Sequence, residues 1–154
     1  MKFSYTHHMP YTFIDESNQD WPVPNKQFDP QKGVELYREY IENKVFAEEV
    51  GFDWIGCNEH HMSPYGLMPN PNLIAAAVVE RTKRAGILQS GNIVPLTNPI
   101  RIAEEYAMLD VQSGGRLIAG LMRGIPHEYV AYNVKPDESY GRMREACQLI
   151  IKAW

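Results

Sequence analysis

Three Asx-proline pairs constrain this chain most: Asp29-Pro30, Asn70-Pro71 and Asn98-Pro99, each following a β-rich run or a loop. The Asx side chain accepts from the orphan N–H groups of a first helical turn, and a proline at the first helical position gives up no bond, since the N–H there has no intrahelical partner. The pairs therefore mark helix starts. Residues 2–6 form a short strand, and 7–28 a long polar loop. The first helix carries Val34, Tyr37, Ile41 and Val45 at helical spacing up to Gly51. A second strand over 53–58 leads into the loop 59–69, and the second helix runs through Leu73, Ala76, Ala77 and Glu80 to about Thr82. The third strand lies within 86–94, and its helix bears Ile102, Tyr106 and Leu109 before Gly114-Gly115 stop it. The fourth strand spans 117–122 and a loop spans 123–138. Ser139 is placed to cap a last helix with Met143, Ala146, Cys147 and Ile150 on one face.

Four strand-helix units in succession predict an α/β fold with a parallel sheet, because parallel neighbours need a crossover. Two architectures fit: an open doubly wound sheet, or part of a (β/α)8 barrel, of which four units are half. The 154 residues are 44% hydrophobic and 22% charged, which suits one globular unit. A net charge of -4 without any basic run excludes a nucleic-acid footprint and favours a small-molecule partner. No apolar run approaches a membrane span of about 18 residues, and residues 1–6 do not read as a signal-peptide core, so a cytoplasmic location is expected. Cys57 and Cys147 are far from any C-x-x-C spacing and are expected to be reduced, buried thiols.

Several motifs fail on inspection. No G-x-G-x-x-G follows the first strand, and Leu121 and Met122 stand where a phosphate loop needs Lys and Ser/Thr. His127-Glu128 begins like a zinc-binding helix, but Ala131 occupies the second histidine position, and no G-x-S-x-G elbow appears. The positive signals lie at strand ends, which in parallel α/β folds converge on the functional face. After the first strand come His7 and His8; after the second, Glu59-His60-His61, a carboxylate and two imidazoles able to exchange protons near neutral pH. Gly91-Asn92 falls in the third strand, where a buried Asn side chain needs partners. Arg123-Gly124 follows the fourth, and a guanidinium after an apolar run is expected to be partly desolvated and to face an anion or the polar edge of a ring.

The run 54–61 (W-I-G-C-N-E-H-H), the run 91–99, the block 103–124 with L-D-V-Q-S-G-G-R and R-G, and the closing 150–154 together resemble the bacterial luciferase-like, flavin-dependent monooxygenases. The resemblance implies a (β/α)8 TIM barrel of which this chain, as one domain over 1–154, covers about the first four units. It also implies FMN at the C-terminal strand ends, used in reduced form with O2 to oxidise a small organic substrate. By the same resemblance Glu59, His60 and His61 are the catalytic group, with His60 in proton transfer. Gly91 and Asn92, near a possible non-proline cis peptide, and Arg123 and Gly124 contact the flavin, and the helix start at Ser139 and Tyr140 approaches its phosphate. Met122 stands where luciferase has a reactive cysteine, a departure that speaks against bioluminescence. Reduced FMN is expected from a separate flavin reductase. Two other readings stay open: a metal-dependent hydrolase using His7, His8, Glu59 and His61, and a non-catalytic half-barrel that associates through its strand edges. On either barrel reading a homo-oligomer or a complementing half is the expected partner.

Overall fold

The computed structural model describes residues 1–15, 17, 23–64 and 66–154; the parts of the expected loops 7–28 and 59–69 at 16, 18–22 and 65 lie outside the described residues. The elements are β1 (Ser4–Thr6), α1 (Pro30–Glu49), β2 (Trp54–Cys57), α2 (Pro71–Val79), β3 (Gly86–Gln89), β4 (Asn92–Ile93), α3 (Pro99–Ser113), β5 (Leu117–Ile118), β6 (Leu121–Met122), α4 (Pro126–Ala131) and α5 (Ser139–Ala153). All three Asx-proline starts form as expected. Asp29 accepts from Gln31 N–H, Asn70 from Asn72 and Leu73 N–H, and Asn98 from Ile100 N–H. Gly114 follows Ser113 as the C-cap of α3.

The sheet is parallel in the order β1-β2-β3-β5, with Tyr5 opposite Ile55, Ile55 opposite Ile87 and Ile87 opposite Leu117; β4 and β6 form a second parallel pair. The third and fourth expected strands are therefore each broken in two. The reason is steric: a Cβ at Gly91 would overlap the Gly120 carbonyl, and one at Gly120 would overlap the Gln89 carbonyl. The two backbones meet where both strands break, and only glycine permits that approach. The Ser90–Gly91 peptide bond is cis, one bond before the position expected.

One face of the sheet is covered. Ile55, Cys57 and Ile87 pack with Leu36 and Tyr40 of α1, Ile74, Ala75 and Val78 of α2, Ile102 and Tyr106 of α3, and Ile150 of α5. On the opposite face Ser4 and Thr6 are exposed, and Trp54, Leu88 and Ile118 are half-buried. Helices on a single face match a barrel wall and not a doubly wound sheet, which carries helices on both. The uncovered face is not the Val/Ile/Leu surface expected of a barrel interior, since Ser4, Thr6, Gly56 and Gly86 contribute much of it.

Other expectations change. The buried stripe of α1 is Gly33, Leu36, Tyr40, Lys44 and Ala47, a rotation away from Val34, which is exposed, and from Tyr37, Ile41 and Val45, which are half-buried. Lys44 disguised this face: it is fully buried, its Nζ donating to Gly56 O at 2.6 Å, and burial lowers its pKa. Cys57 is buried, but Cys147 is partly exposed, because it sits beside the Ala146–Ile150 contact line of α5. Two staples hold the layers. Arg116 donates to the carbonyls of Ser113, Ala85, Val79 and Thr82, which gives the S-G-G-R run a structural role. Glu48, at the end of α1, accepts from the N–H groups of Lys83, Arg84 and Ala85 ahead of β3.

Candidate active site

The triplet 59–61 leaves the end of β2, and its side chains divide between two networks. Glu59 and His61 are buried and fully engaged with protein. Glu59 Oε1 accepts from His61 Nε2 at 2.6 Å, and Oε2 accepts from Ile93 N–H at 2.9 Å and Asn92 Nδ2 at 3.2 Å. Tyr132 OH donates to His61 Nδ1 at 3.1 Å. A carboxylate only accepts, so His61 carries its proton on Nε2 and both ring nitrogens are committed. This network locks the end of β2 to β4 and to the segment after α4, and burial followed by the charges of Glu59 and Glu128 raises the pKa of Tyr132. Using Glu59 and His61 against each other leaves them poor metal ligands for the hydrolase reading. Among the described residues no three His, Cys, Asp or Glu side chains gather as a metal site.

His60 turns the other way. Its Nδ1 lies 3.3 Å from Glu128 Oε1, and its ring lies 5.2 Å from that of His8, whose Nδ1 accepts from Asn58 Nδ2 at 2.6 Å. Burial, then the charges of His60 and Lys44, lowers the pKa of His8 and keeps it neutral at neutral pH. Glu128 is 1% exposed, and its Oε2 accepts from Ile125 N–H at 2.9 Å. Burial pushes this carboxyl up, but the hydrogen bonds from His60 and Ile125, with the nearby imidazoles, hold it below the ordinary range. It is therefore an anion beside His60. Glu128 belongs to the pair set aside above as a failed zinc motif. The expected loop 123–138 instead contains α4, and the usable signal was Pro126 at its first position with Glu128 two residues on, the acidic side of a capping pattern.

The strand-end residues assemble in part. Asn92 is buried, and its Oδ1 has no partner among the described residues. Its N–H donates to Tyr106 OH, which donates to Gly120 O at 2.6 Å. Gly124, at φ 87°, packs where a Cβ would press on Ile93 and Glu128 Oε2, and Tyr129 OH donates to the carbonyls of both Arg123 and Gly124. Arg123 is exposed, not partly desolvated as expected, because the uncovered sheet face gives it no wall. Its Nη1 donates to Ser139 Oγ at 3.3 Å. Ser139 does not cap α5: the cap position is Glu138, and the buried Ser139 hydroxyl donates to Pro136 O at 2.6 Å. The start of α5 thus carries a guanidinium and a hydroxyl, while the acid of Glu138 is neutralised by Arg142 and Lys135. Tyr140 is exposed beside them. A cavity of about 530 Å³ lies between the loops after β1 and β2, and His60 lines it; Asn92, Arg123 and Ser139 do not.

No helix among the described residues is long and apolar enough to cross a membrane. Among relatives, the oxygenase component of the flavin-dependent trigonelline monooxygenase of Acinetobacter baylyi is 32% identical over 129 residues, covering 82% of this chain and 36% of that protein. The monooxygenase RslO1 from Streptomyces bottropensis superposes with a TM-score of 0.79 at 27% identity, covering 97% of this chain and 42% of that one. The oxygenating constituent of 3,6-diketocamphane monooxygenase from Pseudomonas putida, in complex with FMN, shares the fold with a TM-score of 0.78 at 19% identity, covering 97% and 38% respectively. The chain spans about a third of the length of the curated relatives it matches. A model of the luciferase-like monooxygenases matches residues 19–154, and with the one-sided parallel sheet and the strand-end geometry this places the chain in the luciferase-like monooxygenase family, with part of its TIM-barrel fold.

Proposed function

We propose that residues 1–154 are the N-terminal part of a single luciferase-like barrel domain whose completed form is an FMN-dependent monooxygenase acting on a small organic molecule. The observation that carries the reading is the placement of His60 at the end of β2, held by an anionic Glu128 and facing a cavity. Flavin dependence is in the name of the trigonelline relative, and FMN in that of the diketocamphane protein.

The residues present fit part of FMN. Arg123 and Ser139 at the start of α5 suit an anion such as the phosphate, with the helix N-terminus adding its partial positive charge. The unpartnered Oδ1 of Asn92 suits a donor on the ring edge. Reduced flavin, supplied by a separate reductase, would provide the means of activating O2. Around it, Glu128 favours the His60 tautomer with its proton on Nδ1 and so orients the ring for proton transfer. The Glu59–His61–Tyr132 network keeps the backbone at His60 in place. The described residues of the segments after β1 and after β6 flank the strand ends, where they can help to exclude water. With β1 and β5 at open edges of the sheet, the 154 residues alone should self-associate or need a complementing half, and bind FMN poorly.

In the completed barrel, supplied with FMN, a flavin reductase, NADH and ¹⁸O₂, His60→Asn should lower formation of ¹⁸O-labelled product by about tenfold or more with little change in FMN affinity. Unaltered turnover refutes the proton-transfer role, and absence of labelled product from the native protein refutes the monooxygenase reading.

A further inference from the structure

We infer that the cavity between the loops after β1 and β2 receives the organic substrate, and that this substrate is uncharged and largely apolar, with an aromatic or similarly flat body whose reacting end meets His60. The inference rests on the monooxygenase reading above and adds the substrate's place and chemical class. A cavity of about 530 Å³ lies within the range of small-molecule sites. Its walls include the rings of Tyr11 and Phe28 from the first loop, Tyr37 from α1, and Met62 and Leu67 from the second loop.

The chemistry of those walls selects the ligand. None of the described lining residues is Asp, Glu, Lys or Arg, so an ionic group entering the cavity would lose hydration and find no charge among those residues to replace it. The tyrosine hydroxyls are already used within the protein. Tyr37 OH donates to Leu67 O at 2.7 Å, and Tyr11 OH donates to Gln27 O at 3.3 Å while accepting from Asp29 N–H at 2.9 Å. These residues therefore present ring surface, which favours offset or edge contacts with a flat apolar partner.

His60 is the imidazole in this wall, and Gly66 keeps the wall thin beside it: a Cβ there would stand 3.0 Å from the Cβ of His60. The residues suited to an anionic cofactor, Arg123 and Ser139, line none of the cavity. Yet His60 reaches their loop through Glu128. The chain thus keeps a place for a charged cofactor and a place for a neutral substrate apart, with His60 between them.

The test uses three probes with one ring and different charge, acetophenone, benzoate and benzylammonium, titrated into the ¹³C-methyl-labelled completed barrel and followed by NMR. Acetophenone should shift the methyl resonances of Ile14, Met62 and Leu67 saturably, and each charged probe should bind about tenfold more weakly or worse. Leu67→Trp, which fills the cavity, should abolish the shifts at Ile14 and Met62. Should that variant not give a folded methyl spectrum, Ile14→Trp fills the cavity from the other loop. No shift at these methyls, equal binding of the charged probes, or undiminished binding in the folded filled variant overturns the inference. FMN titrated into the completed barrel separates the two readings. Failure to bind FMN with the acetophenone pattern intact removes the flavin reading and leaves the cavity assignment, whereas FMN binding without the acetophenone pattern does the reverse.

Discussion

Replacing Glu128 by Gln removes a charge and almost nothing else, because the amide keeps an oxygen for the Ile125 N–H that Glu128 Oε2 now accepts at 2.9 Å. What changes is the group facing His60 Nδ1 at 3.3 Å. A carboxylate accepts only, so it favours the neutral tautomer with the proton on Nδ1; an amide can donate or accept and favours neither strongly. Charge-assisted hydrogen bonds contribute about 1.5–3 kcal/mol, and the 3.3 Å separation places this one at the low end. About 1.4 kcal/mol is a tenfold change in the tautomer ratio. Long-range ¹⁵N–¹H spectra of the His60 ring, recorded where it is neutral, should show Nδ1 as the protonated nitrogen in the native chain and a ratio about tenfold nearer to even in Glu128→Gln. The reasoning is refuted if the two proteins give the same nitrogen shifts, or if the native ring carries its proton on Nε2.

Because the Glu128 carboxyl lies below its ordinary value, its contribution to stability is fully present above about pH 4.3 and is lost as pH falls through the lower folded value, so Glu128→Gln should show a shallower acid limb in thermal unfolding; parallel limbs would contradict this. Glu48→Ala should cost about 2–4 kcal/mol in urea unfolding, since the N–H groups of Lys83, Arg84 and Ala85 lose a charged acceptor, whereas Glu48→Gln should cost clearly less; equal losses would show that the charge contributes nothing. Arg123→Ala in the completed barrel should weaken FMN binding by about 1–2 kcal/mol, around or below the lower end of the range for a charge-assisted bond because the guanidinium is exposed; equal affinity by flavin fluorescence would remove Arg123 from the anion site. Light scattering on the 154-residue chain should show self-association through the edges at β1 and β5, and a stable monomer would indicate that those edges are protected.

The sequence by itself determined the elements whose causes are local. A helix start depends on a side chain two residues away, which is why Asp29, Asn70 and Asn98 could be read as caps and were observed as caps. The parallel sheet followed from alternation, and the strand-end position of 59–61 followed from the sheet. Tertiary structure decided what depends on contacts between distant segments. The breaks after Gln89 and Ile118 arise because Gly91 and Gly120 meet across two strands, a proximity no run of residues reveals. The buried face of α1 was misread because Lys44 is apolar along most of its length and finds the Gly56 carbonyl at its tip, so its residue type gave the wrong sign of burial. The division of the triplet was also beyond the sequence. Adjacent residues leaving a strand point in different directions, and whether His60 or His61 meets solvent or protein depended on where α4 brought Glu128 and Tyr132. Covalent neighbours set the backbone, but the proton a histidine carries is set by whichever carboxylate the fold delivers to it.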